Sequence, residues 1–303
     1  MGFEEAVTAI GGIAPGAMDA FGRLFPGVPL GSADRAKSRS IKRMMRDIDT
    51  VKRRGADLGL TPENTDALCT AIVKERIGSE RFANVVGFAR ELEPDTSRAN
   101  EVEPSWAEAF RLHAEGAVDE EAQRAWAAIL AGEMERPGSI SKRAMRILGD
   151  MSKKEAEVFQ GFCRFAVDAI QDGEWSDTVP VLNLDPDGRT CNNGALPIQD
   201  LGTLESIGLI AGTVFNSVEI PALGEVQFQC SSQSVFARNP RNETVPIVFQ
   251  LGSLSPCGKE LASICERGKD PSLVTLLMSN LMRRGLRVRL NGEDEWQQSE
   301  EAR

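Results

Sequence analysis

The chain has 303 residues, enough to bury a sizeable core and to suggest two domains. Its 41% apolar and 26% charged content is ordinary for a globular protein, and its net charge of −10 argues against non-specific nucleic-acid affinity of the whole molecule, though not against a local basic patch. There is no tyrosine and one histidine, His113, so a histidine-rich metal site cannot be built within one chain and a Ser-His-Asp triad has one base to draw on.

The six cysteines (Cys69, Cys163, Cys191, Cys230, Cys257 and Cys265) form no C-x-x-C pair. They read as reduced thiols rather than a zinc site or a small disulfide framework. No charge-free apolar window is long enough for a transmembrane helix, and the N-terminus lacks the basic and apolar regions of a secretory signal. Ala6 spoils a myristoylation pattern. A cytoplasmic protein is expected, with peripheral membrane contact as an alternative.

Residues 1–31 are apolar and rich in glycine, with prolines at 15, 26 and 29 that oppose a long helix. They read as an arm that packs on a partner subunit or on the body of the protein, with Phe21 and Phe25 as interface candidates. A membrane-surface segment is the alternative, opposed by the acidic Glu4, Glu5 and Asp19. Residues 32–54 change character. Arg35, Arg39, Lys42, Arg43, Arg46, Lys52, Arg53 and Arg54 make a strongly basic helix, a candidate for nucleic-acid or other anion binding. Ile41, Met44, Met45 and Ile48, continued by Val51, make a narrow apolar seam suited to helix pairing. The bland alternative for the charges is a solvated face, and no aromatic is interleaved to stack single-stranded bases.

Further helices are expected over 61–93, where Thr61-Pro62-Glu63 is a start signal, and from Trp106 onward after a polar linker at 94–104. His113 reads as a surface or half-buried helix residue. Residues 121–159 are the most legible stretch. Ala122, Ala125, Trp126, Ile129 and Leu130 share one helix face, Pro137-Gly138 ends that helix, and Ser139 or Ser141 starts the next. Ser152-Lys153-Lys154-Glu155 is a capping box opening a third helix. Trp126 reads as a core anchor. Glu133 and Glu135 read as solvated or capping residues, and Gly132 as a point of close backbone approach or bending.

After Ile170 short apolar runs separated by Gly, Pro, Asn and Asp replace the helical stripes. A strand is expected at 179–184, followed by an Asp185-Pro186-Asp187-Gly188 turn. This turn is not a calcium loop, because Cys191 and Gly194 fall where oxygen ligands are needed. Then come a helix at 198–208, hairpin strands within 218–230 and 245–251, and a helix opened by Ser255-Pro256. A helix at 271–284, a strand at 286–290 and a frayed acidic tail follow.

Two resemblances add to this reading. The WAAILAGEMERPGSISKRAMRILGDMSKKEAEVF segment resembles the signature of an uncharacterised prokaryotic family, domain of unknown function 2806, with Met151 in place of a leucine. The resemblance implies no enzymatic residues, and it suggests a bacterial conflict or phage-defence context. Residues 198–265, with IGLI before the hairpin and LSPCGKEL after it, are similar to winged-helix domains. The matching helix carries Asp200 and Glu205 and no Lys or Arg, which favours protein contact over DNA reading.

The expected fold is mainly α with a smaller α+β part: an arm (1–31), a helical bundle domain (32–170), a winged-helix-like domain (171–290) and an acidic tail (291–303). No catalytic residue, metal or cofactor is expected, since no P-loop, G-x-G-x-x-G after a strand or G-x-S-x-G occurs. The expected role is a non-enzymatic regulatory or adaptor protein that forms homo-oligomers or binds a protein partner. Nucleic-acid binding through 35–54 and membrane association through 1–31 are the alternatives.

Overall fold

A computed structural model describes residues 20, 23–25, 33–182, 189–211, 216–230, 233–249, 253–265 and 267–298, without the side chains of 33–40, 175–179, 216–217 and 248–249. The chain is mainly α-helical with a smaller β part, and it divides into two compact units, Met1–Gly149 and Asp150–Arg303. The expected boundary at 170/171 falls inside a strand of the second unit, and the helix opened by the capping box also lies in that unit. No described helix is long and apolar enough to cross a membrane.

The first unit holds α1 (Ala33–Arg54), α2 (Pro62–Glu91), a 3-10 turn (Ala99–Glu101), α3 (Pro104–Ala114), α4 (Glu120–Glu135) and α5 (Lys142–Asp150). Local signals set the ends. The Thr61 hydroxyl accepts from Asn64 N at the start of α2, and the Asp119 carboxylate accepts from Ala122 N at the start of α4. Ser141, not Ser139, caps α5 through Ala144 N.

The core of this unit is aromatic. Phe110 is fully buried, with Trp106 stacked on it at 5.1 Å and Trp126 edge-on at 5.7 Å. The Trp106 indole N–H donates to the Ile140 carbonyl at 2.7 Å, so its one polar atom is satisfied in the core. His113 is half-buried, and its ring stacks on Trp126 at 5.7 Å. From the arm, Phe25 is 5% exposed and sits edge-on to Phe82 at 4.8 Å.

Glu133 takes the second of the two roles read from the sequence, solvated or capping. It is not solvated but 2% exposed, and it caps the turn that follows its own helix. Its carboxylate accepts from Gly138 N at 2.6 Å, Ile140 N at 3.1 Å and the Ser139 hydroxyl at 3.3 Å. The Pro-Gly-Ser turn is thereby tied to α4, and Gly138 supplies its positive φ of 84°. At Gly132 the close backbone approach read from the sequence is absent among the described residues, because an added Cβ there would meet no described atom within 4 Å.

The second unit starts with α6 (Lys153–Cys163), whose capping box forms in both directions between Ser152 and Glu155. β1 (Ala166–Gln171) and β2 (Glu174–Pro180) follow as an antiparallel pair, in place of the expected end of the helical domain and the start of the 179–184 strand. The Asp185–Gly188 turn and residues 183–184 lie outside the described residues. β3 (Thr190–Cys191) and β4 (Leu196–Pro197) lead into α7 (Ile198–Ser206).

Between α7 and the next helix the chain makes one long antiparallel ribbon. β5 (Ile210–Ala211) pairs with β10 (Ser253–Leu254), β6 (Asn216–Ile220) with β9 (Val245–Phe249), and β7 (Glu225–Cys230) with β8 (Gln233–Arg238). The three ladders are nested: Ile210 faces Leu254, Val218 faces Ile247 and Phe228 faces Val235. The sequence reading, hairpin strands within 218–230 and 245–251, leaves β6 and β7 undivided. They are separate strands, kinked at 221–224. The far end of the ribbon enters a five-stranded sheet of order β11-β8-β7-β1-β2, where β11 is Arg287–Leu290.

One buried residue holds the kink. The Asn239 amide donates to the carbonyls of Glu243, Pro221 and Ile220 at 2.7, 3.0 and 3.2 Å, and its oxygen accepts from Arg241 N at 3.0 Å. These carbonyls lie where the ladder is interrupted, so the side chain supplies the partners the strands cannot.

After the ribbon come α8 (Pro256–Ala262) and α9 (Leu273–Arg283), which buries Leu273, Leu277 and Leu281 and packs on β8 and β11. The first part of the acidic tail is not frayed. Gln297 exchanges backbone hydrogen bonds with Val288, and the Trp296 ring lies 5.1 and 5.7 Å from the Arg289 and Arg238 guanidinium groups.

Candidate functional site

The candidate site is the outer face of α1. A helix turns about 100° per residue. On that projection Ile41, Met44, Met45, Ile48 and Val51 fall in one arc, and Lys42, Arg43, Arg46, Arg53 and Arg54 fall in the arc opposite. Arg35 and Arg39 fall in the same basic arc by spacing, though their side chains lie outside the described residues. Lys52 stands apart, within the apolar arc between Ile41 and Met45.

α1 packs against α2. The turn between them is tight: a Cβ at the buried Gly55 would come within 2.8 Å of the Thr65 hydroxyl, so glycine lets the two helices close on each other. Met44, Ile48 and Val51 are half-buried, whereas Ile41 is 45% and Met45 56% exposed. The seam read from the sequence as a pairing surface is therefore largely taken up by α2 of the same chain. Only its Ile41–Met45 edge stays open.

The opposite face is wholly solvent-facing. On it Lys42, Arg43, Arg46, Arg53 and Arg54 are all exposed, as is Lys52 on the other side, against the carboxylates Asp47 and Asp49. Among the described residues none of these six cations has a carboxylate within ion-pair distance. Arg46 and Arg53 instead fold back to donate to the helix carbonyls of Lys42 and Asp49, at 3.3 and 3.1 Å. These contacts hold the guanidinium groups along the helix and leave their other N–H donors facing outward. Lys42 to Arg53 spans about 16 Å at 1.5 Å per residue, so the stripe can meet several phosphates in succession.

Of the two phenylalanines named as interface candidates, Phe25 does not join the seam. Phe25 is buried among Phe82 and Phe110, and Phe21 lies outside the described residues, as does most of the 1–31 arm. Gly55 was missed from the sequence. The only available sign was a glycine at the end of a basic helix, which ordinarily marks a helix stop rather than a close crossing.

In the second unit, Gly208 ends α7 with φ of 80°, and its carbonyl accepts from the Ser255 hydroxyl at 2.6 Å. Ser255 N donates to the Leu209 carbonyl at 2.9 Å, and a Cβ on Gly258 would collide with that same carbonyl oxygen. The IGLI and LSPCGKEL segments are thus one locked junction, in which Ser255 caps α8 while bonding to the end of α7.

A family described as "Protein of unknown function (DUF2806)" matches residues 79–278. No curated protein and no solved structure matches the chain.

Proposed function

We propose, for a chain that belongs to the DUF2806 family of proteins of unknown function, a non-enzymatic role in which the outer face of α1 binds the phosphate backbone of a nucleic-acid duplex. One observation carries this reading: a stripe of exposed cations, diametrically opposite the packed seam, with no carboxylate partner among the described residues. Cations without protein partners release counterions when they meet phosphates, and that release drives sequence-independent affinity. No aromatic residue stands among residues 33–54, so stacking on single-stranded bases has no platform there.

The test is fluorescence anisotropy with a labelled duplex and with the same oligonucleotide single-stranded, across a salt series. We expect duplex binding whose logarithmic salt slope falls by about 4 when Arg43, Arg46, Arg53 and Arg54 are changed to Glu. Unchanged affinity in the reversed variant sinks the proposal.

Self-association is the second reading, favoured by the exposure of Ile41 and Met45 on one edge of α1. Light scattering decides it, since an oligomer that survives Ile41→Glu with Met45→Glu does not use this edge. The junction of α7, ribbon and α8 supports a winged-helix-like reading of the second unit. There the acidic α7 favours a protein partner over DNA. An experimental structure in which that segment superposes on no winged helix would retire the likeness.

A further inference from the structure

Cys163 is the last residue of α6, and Cys265 lies in the turn after α8. Far apart in sequence, they meet in the second unit. The Gly268 N–H donates to the Cys163 carbonyl at 3.3 Å, which lays the turn carrying Cys265 across the end of α6. The two thiols act on each other electrostatically, and the Cys265 thiol donates to the Leu261 carbonyl at 3.5 Å.

The two sulfurs sit in unequal surroundings. Cys163 is fully buried, whereas Cys265 is half-exposed and lines a cleft of about 300 Å³ with Asp168, Gln229, Arg267 and Lys269. Arg267 is held in that cleft by an ion pair with Asp168 at 2.5 Å. The Cys163 hydrogen bond, and after it the Arg267 charge, outweigh burial and hold the Cys265 thiol below its ordinary range. The bond to Cys265 and burial push Cys163 well above that range. Burial and the Asp168 charge push the neighbouring Cys230 up to about 12, so it is no candidate for the thiolate that meets peroxide first.

We propose that Cys265 and Cys163 form a hydroperoxide-responsive pair, in which Cys265 is the sulfur oxidised and Cys163 the thiol that resolves it to an intramolecular disulfide. The Cys265 thiolate attacks one peroxide oxygen. An S–O bond forms, the O–O bond breaks, and the departing hydroxide takes up a proton to become water. The sulfur has lost two electrons to the peroxide and is a sulfenic acid. The Cys163 sulfur then attacks it, the S–S bond forms as the S–O bond breaks, and the hydroxyl leaves with the Cys163 proton as a second water. The Arg267 cation lines the same cleft as Cys265. The sulfurs must close to about 2 Å, and the movement falls in the turn after α8 and at the last residue of α6. The product staples those two elements together.

The experiment uses the full reduced chain. Brief labelling with N-ethylmaleimide at graded pH, read by peptide mass spectrometry, should mark Cys265 before Cys69 or Cys257, both buried, and should continue below the pH at which ordinary thiols fall silent. Hydrogen peroxide should then yield a Cys163–Cys265 cross-linked peptide that dithiothreitol reverses. In Cys163→Ser the reaction should stop at a dimedone-trapped sulfenic acid on Cys265. A wild-type chain that gives no such cross-link, or labels Cys265 no faster than Cys69, overturns the proposal without recourse to any variant. A dimedone adduct on another cysteine in Cys163→Ser does so as well.

Discussion

Glu133 and Gly132 are neighbours on α4 with opposite consequences. The Glu133 carboxylate is the buried partner of the Gly138 and Ile140 N–H groups, within and just after the Pro-Gly-Ser turn. Glu133→Ala leaves those donors unsatisfied and opens a cavity, which should cost about 3 kcal/mol. Glu133→Gln keeps one acceptor and should fall between. Chemical denaturation measures both, and a loss below about 0.5 kcal/mol for Glu133→Ala would refute the capping role. Gly132 has open space around its Cα, so Gly132→Ala should stabilise the chain by about 0.5–1 kcal/mol through helix propensity alone. A destabilised Gly132→Ala would mean that something outside the described residues approaches there. The sequence shows both residues but cannot rank them. A buried capping glutamate and a solvated one have the same spacing, and a helical glycine does not announce whether a neighbour needs its missing side chain.

At the level of elements, α1 and the ribbon show what pattern can and cannot supply. The apolar seam of α1 is plain from its spacing, and so is the basic stripe. Spacing does not say which surface the seam meets, and the turn at Gly55 gives it to α2. The ribbon is harder still, because β6 and β7 read as one apolar run. Only the buried Asn239, whose amide ties the Ile220 and Pro221 carbonyls to the Glu243 carbonyl of the facing segment, shows why the run is broken. Asn239→Ala should cost about 3 kcal/mol, since three backbone carbonyls and one N–H lose their partner. Hydrogen exchange should locate the loosening at 220–224 and 239–245. Exchange that rises uniformly over the unit would argue against a local staple.

For the whole molecule, charge segregation matters more than net charge. A chain of −10 that gathers five exposed cations on one arc of α1 between residues 42 and 54 presents one attractive stripe on a repulsive background. Binding through that stripe should weaken steeply with salt, because each phosphate contact is entropically driven by counterion release. The same background should hold the duplex away from other faces. Reversing the stripe should therefore abolish binding rather than shift it to another surface. Electrophoretic mobility shift at low salt checks this, and residual shifting of the reversed variant would point to a second basic surface.

The sequence by itself determined the helices, their caps, the family resemblance, the amphipathic design of α1 and the change from helical to strand-forming composition. These are local properties, written in spacings of three, four or two residues and in cap chemistry that acts within one turn. What only the tertiary structure decided is which distant residues become neighbours. It brings the Cys163 and Cys265 thiols together, sets Gly258 against the Leu209 carbonyl, seats Phe25 among Phe82 and Phe110, and nests three ladders into one ribbon. Each of these contacts depends on how the chain returns on itself. No short window of sequence carries that information, because the partner that gives each residue its role lies beyond the window.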